Sequence, residues 1–106
     1  MRLAVVSSDG ENVDLHLGKG KSVYVYDYAD ELEFVEKRDI EIADDAKHQG
    51  GKVIKTCSDC DVLICVQYGF KSKIKAEDVG IKLVMDEGPI DEVLKRYIDH
   101  VNFMKN

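Results

Sequence analysis

At 106 residues the chain is long enough for one hydrophobic core and too short for two, so residues 1–106 are read as a single domain. With 21 acidic against 15 basic side chains its formal net charge is -6, which argues against a nucleic-acid partner, because such binders present a basic face. No apolar run approaches the roughly 20 residues of a membrane span, and the N-terminus lacks a secretory layout, so a cytoplasmic protein with no membrane partner is expected.

Arg2 to Ser7 reads as a first strand whose uninterrupted apolar centre, Leu3-Ala4-Val5-Val6, calls for cover on both faces. A long polar loop follows, Ser7-Ser8-Asp9-Gly10-Glu11-Asn12-Val13-Asp14-Leu15-His16-Leu17-Gly18, and the next strand-like run begins only near Val23. Ser22 to Tyr28 alternates Val23, Val25 and Asp27 against Tyr24, Tyr26 and Tyr28, the period of a strand. After the turn Ala29-Asp30-Glu31, Leu32 to Ile42 reads as a third strand, with Val35 off its alternation; the short connection makes the pair an antiparallel hairpin.

Asp44 to Gly51 is polar and holds His48 and the pair Gly50-Gly51. Val53, Ile54 and Cys57 then fit a turn or more of amphipathic helix, whose start falls between Asp44 and Gly51. Val62 to Val66 is a second buried strand, ended by Gly69; Ser72 is placed to cap a short helix over Lys73 to Asp78. Ile81 to Met85 forms the last strand. Gly88-Pro89 starts the clearest helix, with Asp91 and Glu92 at its positive end and a stripe of Ile90, Val93, Leu94, Tyr97, Ile98 and Val101. The order is β-β-β-α-β-α-β-α, and strands one, four and five are expected as parallel neighbours in the centre of a mixed five-stranded sheet with helices on its faces.

Long loops leaving the end of a buried strand are where α/β proteins place ligands. His16 is therefore the first candidate metal ligand, since neutral imidazole binds iron, zinc and copper. Gly18, two residues on, permits close backbone approach to a bulky ligand. Cys57-Ser58-Asp59-Cys60 is a Cys-x-x-Cys pair with two readings: soft ligands for an iron–sulfur cluster or zinc, or small apolar groups packed on the sheet. Its place at a helix C-terminus argues against a thioredoxin-like role, which needs the N-terminus. Cys65, inside the most apolar strand, is read as core, and His48 is the second candidate histidine. Lys19 and Lys21, and the group Lys71, Lys73 and Lys75, are read as solvated. Asp9 and Asp61 are the one pair that suggests a two-metal nuclease, but neither lies within its strand, and no catalytic signature is present.

Three of these segments resemble the dinitrogenase iron–molybdenum cofactor biosynthesis family of small iron–sulfur cofactor carriers. They are the first strand with Ser7-Ser8-Asp9-Gly10, Val13-Asp14, His16 and Gly18; Cys60-Asp61-Val62-Leu63-Ile64-Cys65 running to Gly69; and Gly80-Ile81 with Gly88 and the closing helix. The resemblance spans nearly the whole chain, with Leu17 standing where the family usually has phenylalanine. It implies a ribonuclease-H-like three-layer α/β sandwich and a binding role rather than catalysis. The expected function is a non-catalytic carrier or chaperone for an iron–sulfur cluster or iron–molybdenum cofactor precursor, taken from a donor protein and passed to an acceptor. His16 is its key ligand, with Ser7, Ser8, Gly10 and Gly18 shaping the cleft through backbone donors and close approach. Cys57, Cys60 and His48 are secondary metal ligands. The alternatives are an interaction module without metal cargo, and a small structural zinc protein using Cys57, Cys60, His16 and His48.

Overall fold

Four consecutive apolar residues, Leu3 to Val6, are all fully buried, which requires cover above and below. In the computed structural model, which describes residues 1–40 and 50–105, this strand, β1 (Arg2–Val6), is the centre of a five-stranded mixed sheet. After it come β2 (Asn12–Val13), a single 3-10 turn (Leu17–Lys19), β3 (Ser22–Tyr28), β4 (Leu32–Asp39) and helix α1 (Gly50–Thr56). Then follow β5 (Val62–Cys65), α2 (Phe70–Asp78), β6 (Lys82–Met85), β7 (Gly88–Pro89) and α3 (Ile90–Met104).

The large sheet has the order β4-β3-β1-β5-β6, with β3 antiparallel to β1 and β4, and β5 parallel to β1 and β6. Alternation sorts its faces. Leu3, Val5, Val62 and Ile64 point to α3 and its residues Ile90, Val93 and Leu94. Ala4, Val6, Leu63 and Cys65 point to the opposite core, closed by Val53 and Ile54 of α1 and Ala76 of α2. This is the α/β three-layer arrangement expected, with the three predicted helices and five predicted strands in place.

The sequence reading and the structure part at four points. The predicted central trio β1, β5 and β6 is parallel, but β6 lies at the sheet edge, because β3 takes the other side of β1. Strand β4 ends at Asp39; Ile40 is buried outside it, its N–H donating to the Lys21 carbonyl (2.9 Å), and the predicted extension to Ile42 falls outside the described residues. Helix α2 begins at Phe70 with Gly69 at the cap, so Ser72 sits inside the first turn instead of capping it. Finally, β2 and β7 form a two-stranded ladder that ties the long loop to the start of α3, where the Ile90 N–H donates to the Glu11 carbonyl (2.8 Å). Two residues are too few to carry a readable period.

Val35 shows the opposite case. Val25 pairs with Glu36 and Tyr26 with Phe34, leaving Val35 as the extra residue of a β-bulge. Its break in alternation was legible in the sequence, and it twists an exposed edge strand away from pairing with other chains. Among the described residues no helix is long and apolar enough to cross a membrane.

Candidate functional site

The chain leaves β1 at Ser7, the one buried polar side chain among the described residues. Its hydroxyl accepts from the Gly10 N–H (2.9 Å) and the Asp9 N–H (3.3 Å) and lies 3.1 Å from Asp9 Oδ1. Asp9 Oδ1 in turn accepts from the Glu11 N–H (2.8 Å) and Asn12 N–H (2.9 Å), and these backbone bonds lower its carboxyl to about 2. Asp14 closes the loop by accepting from the Ser8 N–H (2.9 Å) and the Ser8 hydroxyl. Short polar side chains thus take up five successive backbone N–H groups, from Ser8 to Asn12. Ser7, Ser8 and Gly10 therefore shape the loop, but the backbone donors expected to face a ligand at Ser8 and Gly10 are already used within it. Gly10 has φ +78°, and a Cβ there would stand 2.9 Å from the Tyr24 ring.

Beyond Asp14 the loop runs beside the segment that leaves β5. The Val66 N–H donates to the Leu15 carbonyl (3.0 Å) and the Leu17 N–H to the Gln67 carbonyl (2.9 Å). The His16 carbonyl accepts from Lys19 (3.0 Å), closing the short turn that contains half-buried Gly18. Leu17 is buried in the core between these anchors, and His16 is exposed. The result is a histidine on a fixed backbone at the carboxyl ends of parallel β1 and β5, where the sequence pattern places it. Of the other predicted ligands, His48 lies outside the described residues.

The cysteine pair sits at the other end of the sheet. The Cys60 N–H donates to the Cys57 carbonyl (2.9 Å) in the turn after α1, and the next residue, Asp61, donates its N–H to the Arg2 carbonyl (2.8 Å) where β1 begins. Strand β5 alone, four residues at about 3.3 Å each, puts some ~13 Å between this turn and the His16 loop. His16 and the pair Cys57 and Cys60 therefore do not converge on one ion. Both sulfurs are buried; the neighbouring Cys60 sulfur and burial push the Cys57 thiol far up, while the Cys57 thiol draws Cys60 down. Cys65, also fully buried, is pushed by burial to about 11. Among the described residues no group of three or more His, Cys, Asp or Glu side chains could hold a metal ion. Asp9 and Asp61 likewise stand at opposite ends of the sheet.

Asp59, which the sequence reading passed over, organises the cysteine end. It accepts from Arg38 Nη1 (2.5 Å) and Nη2 (2.8 Å) and from Arg2 Nη1 (2.7 Å), and Arg38 Nη1 also reaches the Thr56 carbonyl (3.0 Å). Hydrogen bonds from Arg38, then from Arg2, hold its carboxyl well below the ordinary 3.8. A depressed carboxylate stabilises the fold above its ordinary pKa and loses that contribution as pH falls towards the folded value. Asp59→Asn should therefore flatten the acid limb of a stability-against-pH curve and cost about 1 kcal/mol at neutral pH, reduced by exposure. Urea titrations of both proteins across the acid range check this; parallel acid limbs would contradict it. The missed signal is sequence-distant: Arg2, Arg38 and Asp59 meet only through the strand order.

Among the described residues, concavities beside the sheet include two that His16 does not line. One of about 680 Å³ lies between Met1, Arg2 and the β3–β4 turn; the other, about 300 Å³, lies between β6 and α3 beside Tyr97 and His100. His16 itself is exposed.

Solved structures with this fold include PH0822, at TM-score 0.78 and 20% identity over 94% of this chain and 92% of that one. A Methanocaldococcus jannaschii protein provisionally assigned as a dinitrogenase matches at TM-score 0.68 and 16% identity, over 94% and 89%. A Thermotoga protein provisionally assigned as NifB, of the DUF35 family, matches at 0.63 and 21%, over 92% and 87%. At these identities the likeness shows the shared fold. No curated protein matches the chain in sequence. The family model described as dinitrogenase iron-molybdenum cofactor covers residues 1–100, and on that match the chain belongs to this family.

Proposed function

We propose that the protein is a non-catalytic carrier that holds an iron–sulfur or metal-containing cofactor precursor at His16 and passes it on. One observation carries this reading. His16 is exposed, while the residues on either side of it are hydrogen-bonded to Val66 and Gln67. A fixed backbone keeps the imidazole positioned without lost conformational freedom. A single open ligand lets the cargo leave, which a closed four-ligand site would oppose. The family's connection to the iron-molybdenum cofactor agrees with cargo of this class. On this reading Cys57 and Cys60 belong to the core, and donor and acceptor proteins of cofactor assembly are the partners.

Anaerobic reconstitution with iron and sulfide, followed by visible spectra and iron analysis, tests the proposal. His16→Ala should lower bound iron about tenfold or more, the scale of a lost ligand, with its melting temperature unchanged because the side chain is exposed. Absence of iron from the wild-type protein, under conditions that load a known carrier, would overturn the proposal for simple clusters.

A further inference from the structure

Helix α2 breaks two local rules at once. It buries one side chain, Ala76, while Phe70 is 76% and Ile74 43% exposed; four residues apart, these two share a face. Lys71 and Lys73 lie in its N-terminal half, with no acidic residue in the first turn, while Lys75 belongs to the last turn, with Glu77 and Asp78 after it. The helix dipole favours the reverse arrangement. Outward apolar groups and cations at the positive end of a dipole both cost the isolated domain stability. Such local conflicts gathered on one face are the mark of a surface with another task.

We infer that the outer face of α2 docks an acidic protein partner, with Phe70 and Ile74 entering an apolar groove and the flanking Lys71 and Lys73 meeting its carboxylates. Charge selects this occupant. The chain as a whole carries -6, yet residues 67–75 contain three lysines and no acid. None of the three lysines joins an ion pair among the described residues. A nucleic acid would meet the lysines but offer no groove for an exposed phenylalanine and isoleucine. Position gives docking a purpose: the Gln67 carbonyl that anchors Leu17 lies three residues before Phe70. The start of α2 therefore lies at the same end of the sheet as His16. That purpose rests on the carrier reading; the contact itself does not.

The test is a titration of the isotope-labelled protein, followed by nuclear magnetic resonance. The probe is a short synthetic helical peptide with glutamates on one face and leucines on the other. Saturable shifts confined to residues 67–75 are expected. Binding should weaken about tenfold or more both in the double variant K71E/K73E and in F70A, because charge steers while the buried anchor holds. Both variants should keep the wild-type circular dichroism and melt at or above the wild-type temperature, because each removes a feature that costs the isolated domain stability. Equal binding of an all-glutamate peptide, shifts centred elsewhere, or lysine-dependent self-association in sedimentation would each overturn the inference. So would tighter binding of a single-stranded oligonucleotide. The same titration on His16→Ala separates the two proposals: docking should persist there while iron loading falls. A wild-type protein that docks the peptide but never loads iron would remove the carrier reading alone.

Discussion

Leu17→Ala should lower the free energy of unfolding by about 3 kcal/mol, from the lost transfer of a buried side chain and the cavity it leaves. Leu17 is 1% exposed, in the core formed with Ala4, Val6, Val53 and Leu63. One of its methyl groups lies 3.7 Å from where a Cβ on Gly50 would stand, so it pins the His16 loop against the start of α1. A domain of this size has about 5–15 kcal/mol in total, so such a loss shifts the urea midpoint visibly. The same substitution should speed hydrogen exchange at the Leu17 and Val66 N–H groups, which hold the loop to the exit of β5. A cost below about 1 kcal/mol would mean that the loop collapses into the gap and that Leu17 is not its anchor.

Gly10→Ala should cost about 2–3 kcal/mol, for two separable reasons. At φ +78° the backbone adopts a conformation that L side chains rarely take, and the new methyl would meet Cε2 and Cζ of Tyr24 at 2.9 Å. The steric part is removable. In a Tyr24→Leu background the same change should cost roughly 1 kcal/mol, the backbone part alone, giving a coupling energy of about 1–2 kcal/mol in a double-mutant cycle. Equal costs in both backgrounds would place the whole effect in the backbone. Tyr24 also meets Phe34 in a tilted ring contact, centroids 6.5 Å apart, so the single variant Tyr24→Leu must be measured as the baseline of that cycle.

The role of Gly10 was legible in part: a glycine in a polar turn invites a positive φ, but nothing in sequence announces the Tyr24 ring above it. The long loop shows the same division. Its place after a buried strand, with one histidine, makes it a candidate ligand site from spacing alone. That its backbone donors from Ser8 to Asn12 are taken by Ser7, Asp9 and Asp14 needed coordinates. So did the separation of His16 from Cys57 and Cys60, because a Cys-x-x-Cys spacing reports that two sulfurs are near each other and nothing about a third ligand.

What the sequence determined by itself is whatever is written in local periodicity. The doubly buried runs of β1 and β5, the hairpin of β3 and β4 with its irregularity at Val35, and the one-faced α3 each have a repeat that neighbouring residues enforce. What only the tertiary structure decided are the meetings of residues far apart in the chain. Those include the edge position of β6, the β2–β7 ladder, the Arg2–Asp59–Arg38 cluster, and which end of the sheet each candidate ligand occupies. Side-chain period is a property of a segment, whereas strand order follows from how all the apolar faces are covered together, and no single segment carries that information.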